Sequence, residues 1–200
     1  MKRIPFILIY SRILTAIIIG LLAFFSAKNY DVLIVVLMSI GLITDIFDGI
    51  IARKLGISSE RLRILDSNVD MFFWIVVISS IFYLNIEFVK ENVLWIALVL
   101  ALELICYLIS IIKFKKPIAT HSILAKVWTL TLLAFLIFLL LSSWSKIPFI
   151  ICIALGIISR IEIIWIILKL NEWITDVPSI LSVSKINRGI PIKRNKLFNG

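Results

Sequence analysis

Long apolar runs separated by short polar joints make up most of the chain. Six runs stand out, over residues 7–25, 31–51, 71–88, 93–112, 123–141 and 147–168. Each is close to the ~20 residues that an α-helix needs to cross about 30 Å of hydrocarbon. The joints are short, as in SAKNY, NIEFVKEN and FKKPIATHS, so consecutive helices are expected to run antiparallel. The pattern predicts an all-α integral membrane protein, built as a six-transmembrane-helix bundle.

The composition supports the same class. Apolar residue types make up 62% of the 200 residues, and the mean hydropathy is +1.12. Soluble domains hold roughly 45–50% apolar residues, so a soluble protein is excluded. The spans leave no room for a second folded domain. We expect one membrane domain over residues 1–170 and a basic cytosolic tail over residues 171–200, which lies on the membrane surface or is partly disordered.

Basic residues are distributed unevenly between the two ends of the spans. The formal net charge is +9, but Lys and Arg lie in joints and tails, where lipid headgroups are nearer partners than nucleic acid. With a cytosolic N-terminus, one side collects most of them and the other side holds only Lys28, Lys90 and Lys146. The positive-inside rule then predicts that both termini are cytosolic. We expect a multi-pass protein of a prokaryotic cell membrane, in contact with membrane lipids.

Four aspartates lie near the cytosolic ends of the second and third spans. A charged side chain at the centre of a membrane helix costs about 2.5–3.5 kcal/mol on insertion scales, so a cluster of acids needs a reason. Asp45 and Asp48 share one helix face, and Asp66 and Asp70 share a face of the next helix. The joint over residues 54–65 reverses the chain. The two pairs are therefore expected to face each other as a four-carboxylate cage.

Such a cage either holds protonated carboxyl groups or binds a hard cation, because ionised carboxylates repel each other at short range. Oxygen ligands without Cys or His favour Mg²⁺ or Mn²⁺ over zinc. Ions in this place can bind a diphosphate, and a remaining carboxylate can take a proton from an attacking hydroxyl. Gly49 lets a phosphate or nucleotide approach the helix backbone, and Arg53 supplies a cation for phosphate.

The segment DIFDGIIARKLGISSERLRILDSNVD, over residues 45–70, resembles the signature of the CDP-alcohol phosphotransferase (CDP-alcohol phosphatidyltransferase) family. That signature reads D-x-x-D-G-x-x-A-R, a short spacer, and G-x-x-x-D-x-x-x-D. The matching positions are Asp45, Asp48, Gly49, Ala52, Arg53, Asp66 and Asp70. The family also has six spans and a cytosolic catalytic face. The Ser11-Arg12 pair is similar to the Thr or Ser and Arg that relatives carry in the first span, although membrane anchoring explains Arg12 equally well.

The resemblance implies a phospholipid-biosynthetic enzyme. Its members transfer a phosphatidyl or similar substituted phosphate group from a CDP-linked lipid donor to a small alcohol acceptor, and release CMP. The resemblance implies that all four aspartates bind the metal and that Asp70 is also the base on the acceptor hydroxyl. It places Gly49, Ala52 and Arg53 along the CDP group, and it implies a homodimer.

Polar residues outside the signature offer candidates for the acceptor site. Lys126 is similar to a lysine that relatives carry at the cytosolic start of the fifth span, where it can contact the acceptor's phosphate. Arg63 and Ser122 are further candidates. Charges at membrane depth usually pair inside the bundle, so Glu103 with Arg160 is either a structural bridge or part of acceptor binding.

One position departs from the signature, and two rival functions stay open. Leu62 stands where the family has a glycine, and a leucine is expected to crowd a nucleotide that approaches the bare backbone. A degenerate, non-catalytic family member, or a shifted loop that uses Gly56, is therefore an alternative. A cation- or proton-coupled transporter is the rival from another class. It predicts acids near the bilayer midplane in broken helices, whereas these acids lie at the cytosolic boundary.

Overall fold

The computed structural model describes residues 4–25, 29–56, 59–118, 120, 122–142, 146–175 and 177–190. Nearly all of these residues are helical, and none of them lies in a strand. The helices are α1 (Ile4–Phe25), α2 (Tyr30–Lys54), α3 (Glu60–Leu84), α4 (Ile86–Phe114), α5 (Ile123–Leu141), α6 (Lys146–Lys169) and α7 (Ile180–Asn187). The first six are long and apolar enough to cross a membrane. The predicted all-helical membrane class is confirmed.

Helix α3 begins earlier than its apolar run. The hydrophobic pattern predicted a span from residue 71, whereas α3 starts at Glu60. Ser59 sets this start, because its side-chain oxygen accepts a hydrogen bond of 3.2 Å from the Leu62 amide and so caps the helix. Gly56 reverses the chain in the turn before it, with a left-handed φ of 64°. Both aspartates of α3 therefore lie inside its first turns.

The joint between α3 and α4 is shorter than predicted. The NIEFVKEN segment was expected to be a polar joint, but it is helical from Ile86 onward. Asn85 alone separates the two helices, because its side-chain amide and its backbone N–H donate to the Ile81 carbonyl at 2.9 and 3.1 Å. Asn92 has φ −117° and ψ 15° within α4 and kinks that helix. The predicted run over residues 71–88 thus covers parts of two helices.

The chain divides into two compact units, Met1–Glu91 with Leu133–Ser145, and Asn92–Leu132 with Lys146–Gly200. In the first unit, α1 packs against both α2 and α3. The buried positions of α1 recur at helical spacing, as expected of a face that packs on neighbouring helices. They are Pro5, Ile9, Arg12, Ala16, Ile19 and Ala23. An arginine in the middle of this face requires charged partners on the helices that it meets.

Helices α2 and α3 approach closely at Gly41. A Cβ atom built on Gly41 would lie 2.3 Å from Cζ of the buried Phe73 ring, so the ring occupies the space that any larger residue would need. Gly41 stands one helical turn before Asp45 in α2, and Phe73 stands about one turn after Asp70 in α3. The contact therefore sets the spacing between the helix ends that carry the acids.

In the second unit, an ion pair at membrane depth joins α4 to α6. The Arg160 guanidinium contacts the Glu103 carboxylate and lies 4.0 Å from the centre of the Trp128 ring. The Arg160 side chain is buried, while Glu103 is half exposed. The pairing that the sequence suggested for these two residues is confirmed.

The described part of the tail packs against α6. Val183 of α7 is buried in one cluster with Ile166 and Leu170. The Asn187 side-chain amide donates 2.7 Å to the Lys169 carbonyl at the end of α6. Within residues 171–175 and 177–190, apolar side chains hold α7 on α6, and the position of the tail relative to the membrane surface stays a prediction. Residues 191–200 lie outside the described part.

Candidate active site

Four aspartates of two helices surround one guanidinium group. The group belongs to Arg12 of α1, and its Nη1 atom contacts Asp45 at 2.9 Å and also contacts Asp70. Its Nη2 atom contacts Asp48 and Asp66, each at 2.5 Å. The structure thus brings together the four aspartates that the sequence singled out. It also places at their centre a cation from a third helix.

The cluster is closed on one side and open on the other. The side chains of Arg12 and Asp48 are 1% and 2% exposed. Asp45 and Asp70 are 34% and 23% exposed, and they form the open side. Among the described residues the buried Nε atom of Arg12 has no hydrogen-bond partner, so this side chain contacts the carboxylates through its two Nη groups.

The sequence did not predict that Arg12 lies at the centre of the site. Anchoring explained it equally well, since an arginine near the start of a first span commonly reaches the lipid headgroups. The signal that separates the two interpretations is its register. Arg12 continues the apolar stripe of Ile9, Ala16 and Ile19, so it falls on the packed face of α1.

A small recess opens beside the carboxylates. Its lining residues come from α1, α2 and α3, and they are Pro5, Ile9, Asp48, Gly49, Ala52, Leu62, Arg63 and Asp66. Gly49 and Ala52, two of the residues predicted to bind the CDP donor, therefore lie together on the α2 wall of the recess. Their small side chains leave the helix backbone approachable there.

Leu62 forms an apolar wall of this recess. It is 5% exposed and packs with Ile9, Ala52 and Val69 in one buried cluster. Gly56, the alternative glycine, lies in the turn before α3 and is not among the residues that line the recess. The position that is glycine in the signature is thus filled by a packed side chain.

The carboxylates fit a hard divalent cation. Asp45, Asp48 and Asp66 each offer one oxygen, and these oxygens lie within 4.8 Å of one another. That spread lets several oxygens converge on one ion, and an all-oxygen donor set suits Mg²⁺ or Mn²⁺. The contacts of Arg12 with the same carboxylates already show that their oxygens converge on a positive charge.

The remaining predicted residues are placed as follows. Arg63 is half-buried and lines the recess. Arg53 belongs to α2 by its backbone, and its side chain lies outside the described part. Ser122 is buried in the second unit and caps α5, where its Oγ accepts a hydrogen bond of 3.1 Å from Ala125 N–H. Lys126 lies in the first turn of α5 and is half-buried.

Fold and site together define a multi-pass membrane protein with a carboxylate-lined cation site at the ends of two spans. A model of the CDP-alcohol phosphatidyltransferase family matches residues 2–168. The chain belongs to this family, as its signature indicated. No curated protein and no solved structure matches it significantly.

Membership of the family defines the general activity. The protein is a membrane transferase of substituted phosphate groups in lipid biosynthesis. The family uses CDP-alcohol donors and alcohol acceptors and depends in general on divalent metal ions.

Proposed function

We propose that this protein transfers a phosphatidyl or similar substituted phosphate group from a CDP-diacylglycerol-like donor to a hydroxyl acceptor and releases CMP. The observation that carries the proposal is the convergence of Asp45, Asp48, Asp66 and Asp70 on one buried cation. Acids at such a place cost free energy on membrane insertion. Acids at this place are explained if they bind a metal ion that acts on a diphosphate substrate.

The four carboxylates would hold the metal, and the oxygens of three of them already converge. The convergent oxygens of Asp45, Asp48 and Asp66 support this assignment, and Asp70 contacts the same guanidinium from the open side. When bound, Mg²⁺ or Mn²⁺ there would offset the negative charge of the diphosphate and of the departing CMP.

The diphosphate of the CDP donor would lie against the wall of the recess beside the carboxylates. Gly49 and Ala52 present a small-residue surface next to Asp48, which suits close approach of a diphosphate to the helix backbone. Arg63 lines the same recess and can contribute a positive charge. Leu62 would give the nucleotide an apolar wall in place of a bare backbone.

Asp70 would act as the base. Its carboxylate takes the proton of the acceptor hydroxyl, and the hydroxyl oxygen forms a new bond to the lipid-linked phosphorus. The bond between that phosphorus and the bridging oxygen breaks, and its electron pair leaves with CMP. Asp70 is suited to this role because it is more exposed than Asp48 and Asp66, so an acceptor can approach it.

The same proposal covers the membrane setting. The distribution of Lys and Arg supports a cytosolic position for both termini and for the acidic helix ends, and a prokaryotic cell membrane and a homodimer remain predictions. Lys126, Ser122 and Arg63 are proposed for the acceptor side. Ser122 is the weakest of the three, because its hydroxyl already caps α5.

The transporter rival predicts broken helices at the acids. Here α2 and α3 run through the four aspartates without a non-helical residue, and the acids lie toward the C-terminal end of α2 and the N-terminal end of α3. These features favour the transferase.

The test is CMP release from purified protein. CDP-diacylglycerol, Mg²⁺ or Mn²⁺ and a panel containing serine, inositol phosphate and glycerol phosphate are supplied, and CMP is measured. We expect release with at least one acceptor and none in EDTA. Release of no CMP with any acceptor would exclude the proposed reaction.

A further inference from the structure

Arg12 lies where the carboxylates converge, which is also where the proposed metal would bind. Asp45, Asp48 and Asp66 offer the convergent oxygens, and each of these carboxylates contacts the Arg12 guanidinium at 2.5–2.9 Å. A metal ion needs carboxylate oxygens at about 2.0–2.1 Å for Mg²⁺, and a guanidinium hydrogen-bonded to the same groups stands in the way. The two cations therefore compete for one place.

We propose that Arg12 is a displaceable counter-cation: its guanidinium holds the four carboxylates together when no metal is bound and leaves them when a divalent ion binds. This inference rests on the proposed function, since it concerns the same metal site. It makes Arg12 a positioning residue that assembles α1, α2 and α3 before the metal arrives. It also makes Arg12 a determinant of metal affinity.

Charge balance favours the exchange. One guanidinium supplies a single positive charge opposite four carboxyl groups, so a divalent ion compensates more of the negative charge that these groups carry when ionised than an arginine does.

Hydrogen bonding points the same way. The Nε atom of Arg12 is buried and has no hydrogen-bond partner among the described residues. A buried donor in that state is costly, and movement of the side chain would relieve the cost.

The partial exposure of the carboxylate cluster makes it accessible to a divalent ion. Arg12 lies at the closed side, with 1% of its side chain exposed, whereas Asp45 and Asp70 are 34% and 23% exposed. An ion can reach the carboxylates from the open side without first removing the arginine. Once bound to the carboxylates, the ion takes the place of the Arg12 guanidinium as their cation.

The alternative is a fixed strut, in which Arg12 keeps its carboxylate contacts while metal binds beside it. The two arrangements differ in how metal binding and the Arg12 side chain are coupled. Displacement means that removing the guanidinium strengthens metal binding, whereas a strut predicts independent effects.

The experiment compares wild type with Arg12→Gln, Arg12→Lys and the control Arg61→Gln, which changes an exposed arginine of α3. Thermal unfolding is measured in detergent with EDTA or with saturating Mn²⁺, and Mn²⁺ affinity is measured by calorimetric titration. We expect Arg12→Gln to unfold at a lower temperature in EDTA and to regain most of the loss in Mn²⁺. Its Mn²⁺ dissociation constant should fall by about tenfold or more, as when a competing state is removed.

The lysine variant covers the case in which Arg12→Gln does not fold. A lysine keeps the charge but loses the planar fork that spans several carboxylates, so its Mn²⁺ dissociation constant should lie between those of wild type and Arg12→Gln, or below that of wild type if it alone folds. Arg61→Gln should match wild type in every measurement.

An equal loss of unfolding temperature in EDTA and in Mn²⁺, with an unchanged Mn²⁺ dissociation constant, would overturn displacement. Metal-dependent CMP release by wild type in that case would leave the proposed function intact. Absence of both Mn²⁺ binding and CMP release in wild type would remove the proposed function and the inference together.

Discussion

The Arg12 guanidinium donates a 2.5 Å hydrogen bond to the Asp48 carboxylate, and both side chains are almost fully buried. The pair connects α1 to α2 across 36 positions of the chain. An arginine that only anchors a span extends toward the headgroups, whereas this one points into a carboxylate cluster. The first helix is therefore part of the candidate site as well as of the membrane domain.

The contact between Gly41 and Phe73 predicts that Gly41→Ala is harmful. The added Cβ would meet the Phe73 ring at 2.3 Å, and overpacking of this kind costs about 1–3 kcal/mol. Because the contact sets the spacing of the two acidic helix ends, we expect loss of CMP release as well as a lower free energy of unfolding. Both are measured on purified protein.

Gly20→Ala is the matched control for this change. A Cβ on Gly20 would lie 3.6 Å from Cγ1 of Val76, which is ordinary van der Waals contact. We expect Gly20→Ala to keep stability and activity near wild type. If Gly41→Ala behaves in the same way, the contact with Phe73 does not position the site.

Leu62 leads to a prediction about nucleotide binding. We expect wild type to bind CDP in the presence of Mg²⁺, and Leu62→Gly to bind it more weakly, because the apolar wall of the recess is lost. The variant should also be less stable by about 2–5 kcal/mol, the usual cost of truncating a buried leucine. Calorimetric titration and denaturant unfolding measure the two effects.

Val69→Ala separates packing from binding in this experiment. Val69 belongs to the same buried cluster as Leu62 but does not line the recess, so it should lower stability without changing CDP affinity. Tight CDP binding by Leu62→Gly and none by wild type would instead identify a degenerate family member.

The Glu103–Arg160 pair predicts a non-additive stability effect. Glu103→Gln leaves the buried Arg160 guanidinium without its carboxylate, and an uncompensated buried charge lowers the free energy of unfolding. The double variant Glu103→Leu with Arg160→Met should be more stable than Glu103→Gln, because no charge is then left unpaired.

The exposed ion pair of Glu87 and Lys90 is the control for the variants of Glu103 and Arg160. Their side chains are 78% and 64% exposed, and such pairs contribute about 0–1 kcal/mol. Glu87→Gln should therefore have little effect on unfolding. If Glu103→Gln is equally mild, the bridge is not a stabilising contact.

Hydrophobic periodicity was sufficient to predict the helical class and the number of spans, because each span is a long apolar run. It failed at α3 and α4, where a serine cap starts one helix among charged residues and a single asparagine separates two helices. The hydrophobic pattern contains no information on helix caps, so the predicted third run extended across the junction between α3 and α4 at Asn85.

For the candidate site, the spacing of the aspartates was sufficient to predict two facing pairs, since i, i+3 and i, i+4 positions share a helix face. The partners of Arg12 were not predictable from local spacing, because they are 33 to 58 positions away in the sequence. The register of Arg12 on the apolar stripe of α1 indicates that it is packed, but only the packing of α1 on α2 and α3 identifies its partners.

The central claim is that Asp70 serves as the base of a CMP-releasing transfer, and Asp70→Asn tests it most directly. An amide keeps the size of the side chain but cannot accept the proton, and loss of a general base lowers the rate by about 10²–10⁴-fold. Asp31→Asn, in the first turn of α2, is the control.

The measurement is CMP release from CDP-diacylglycerol in Mn²⁺ with the best acceptor of the panel. We expect Asp31→Asn to match wild type, and Asp70→Asn to release almost no CMP while still unfolding in one cooperative transition. Undiminished CMP release by Asp70→Asn would contradict the claim.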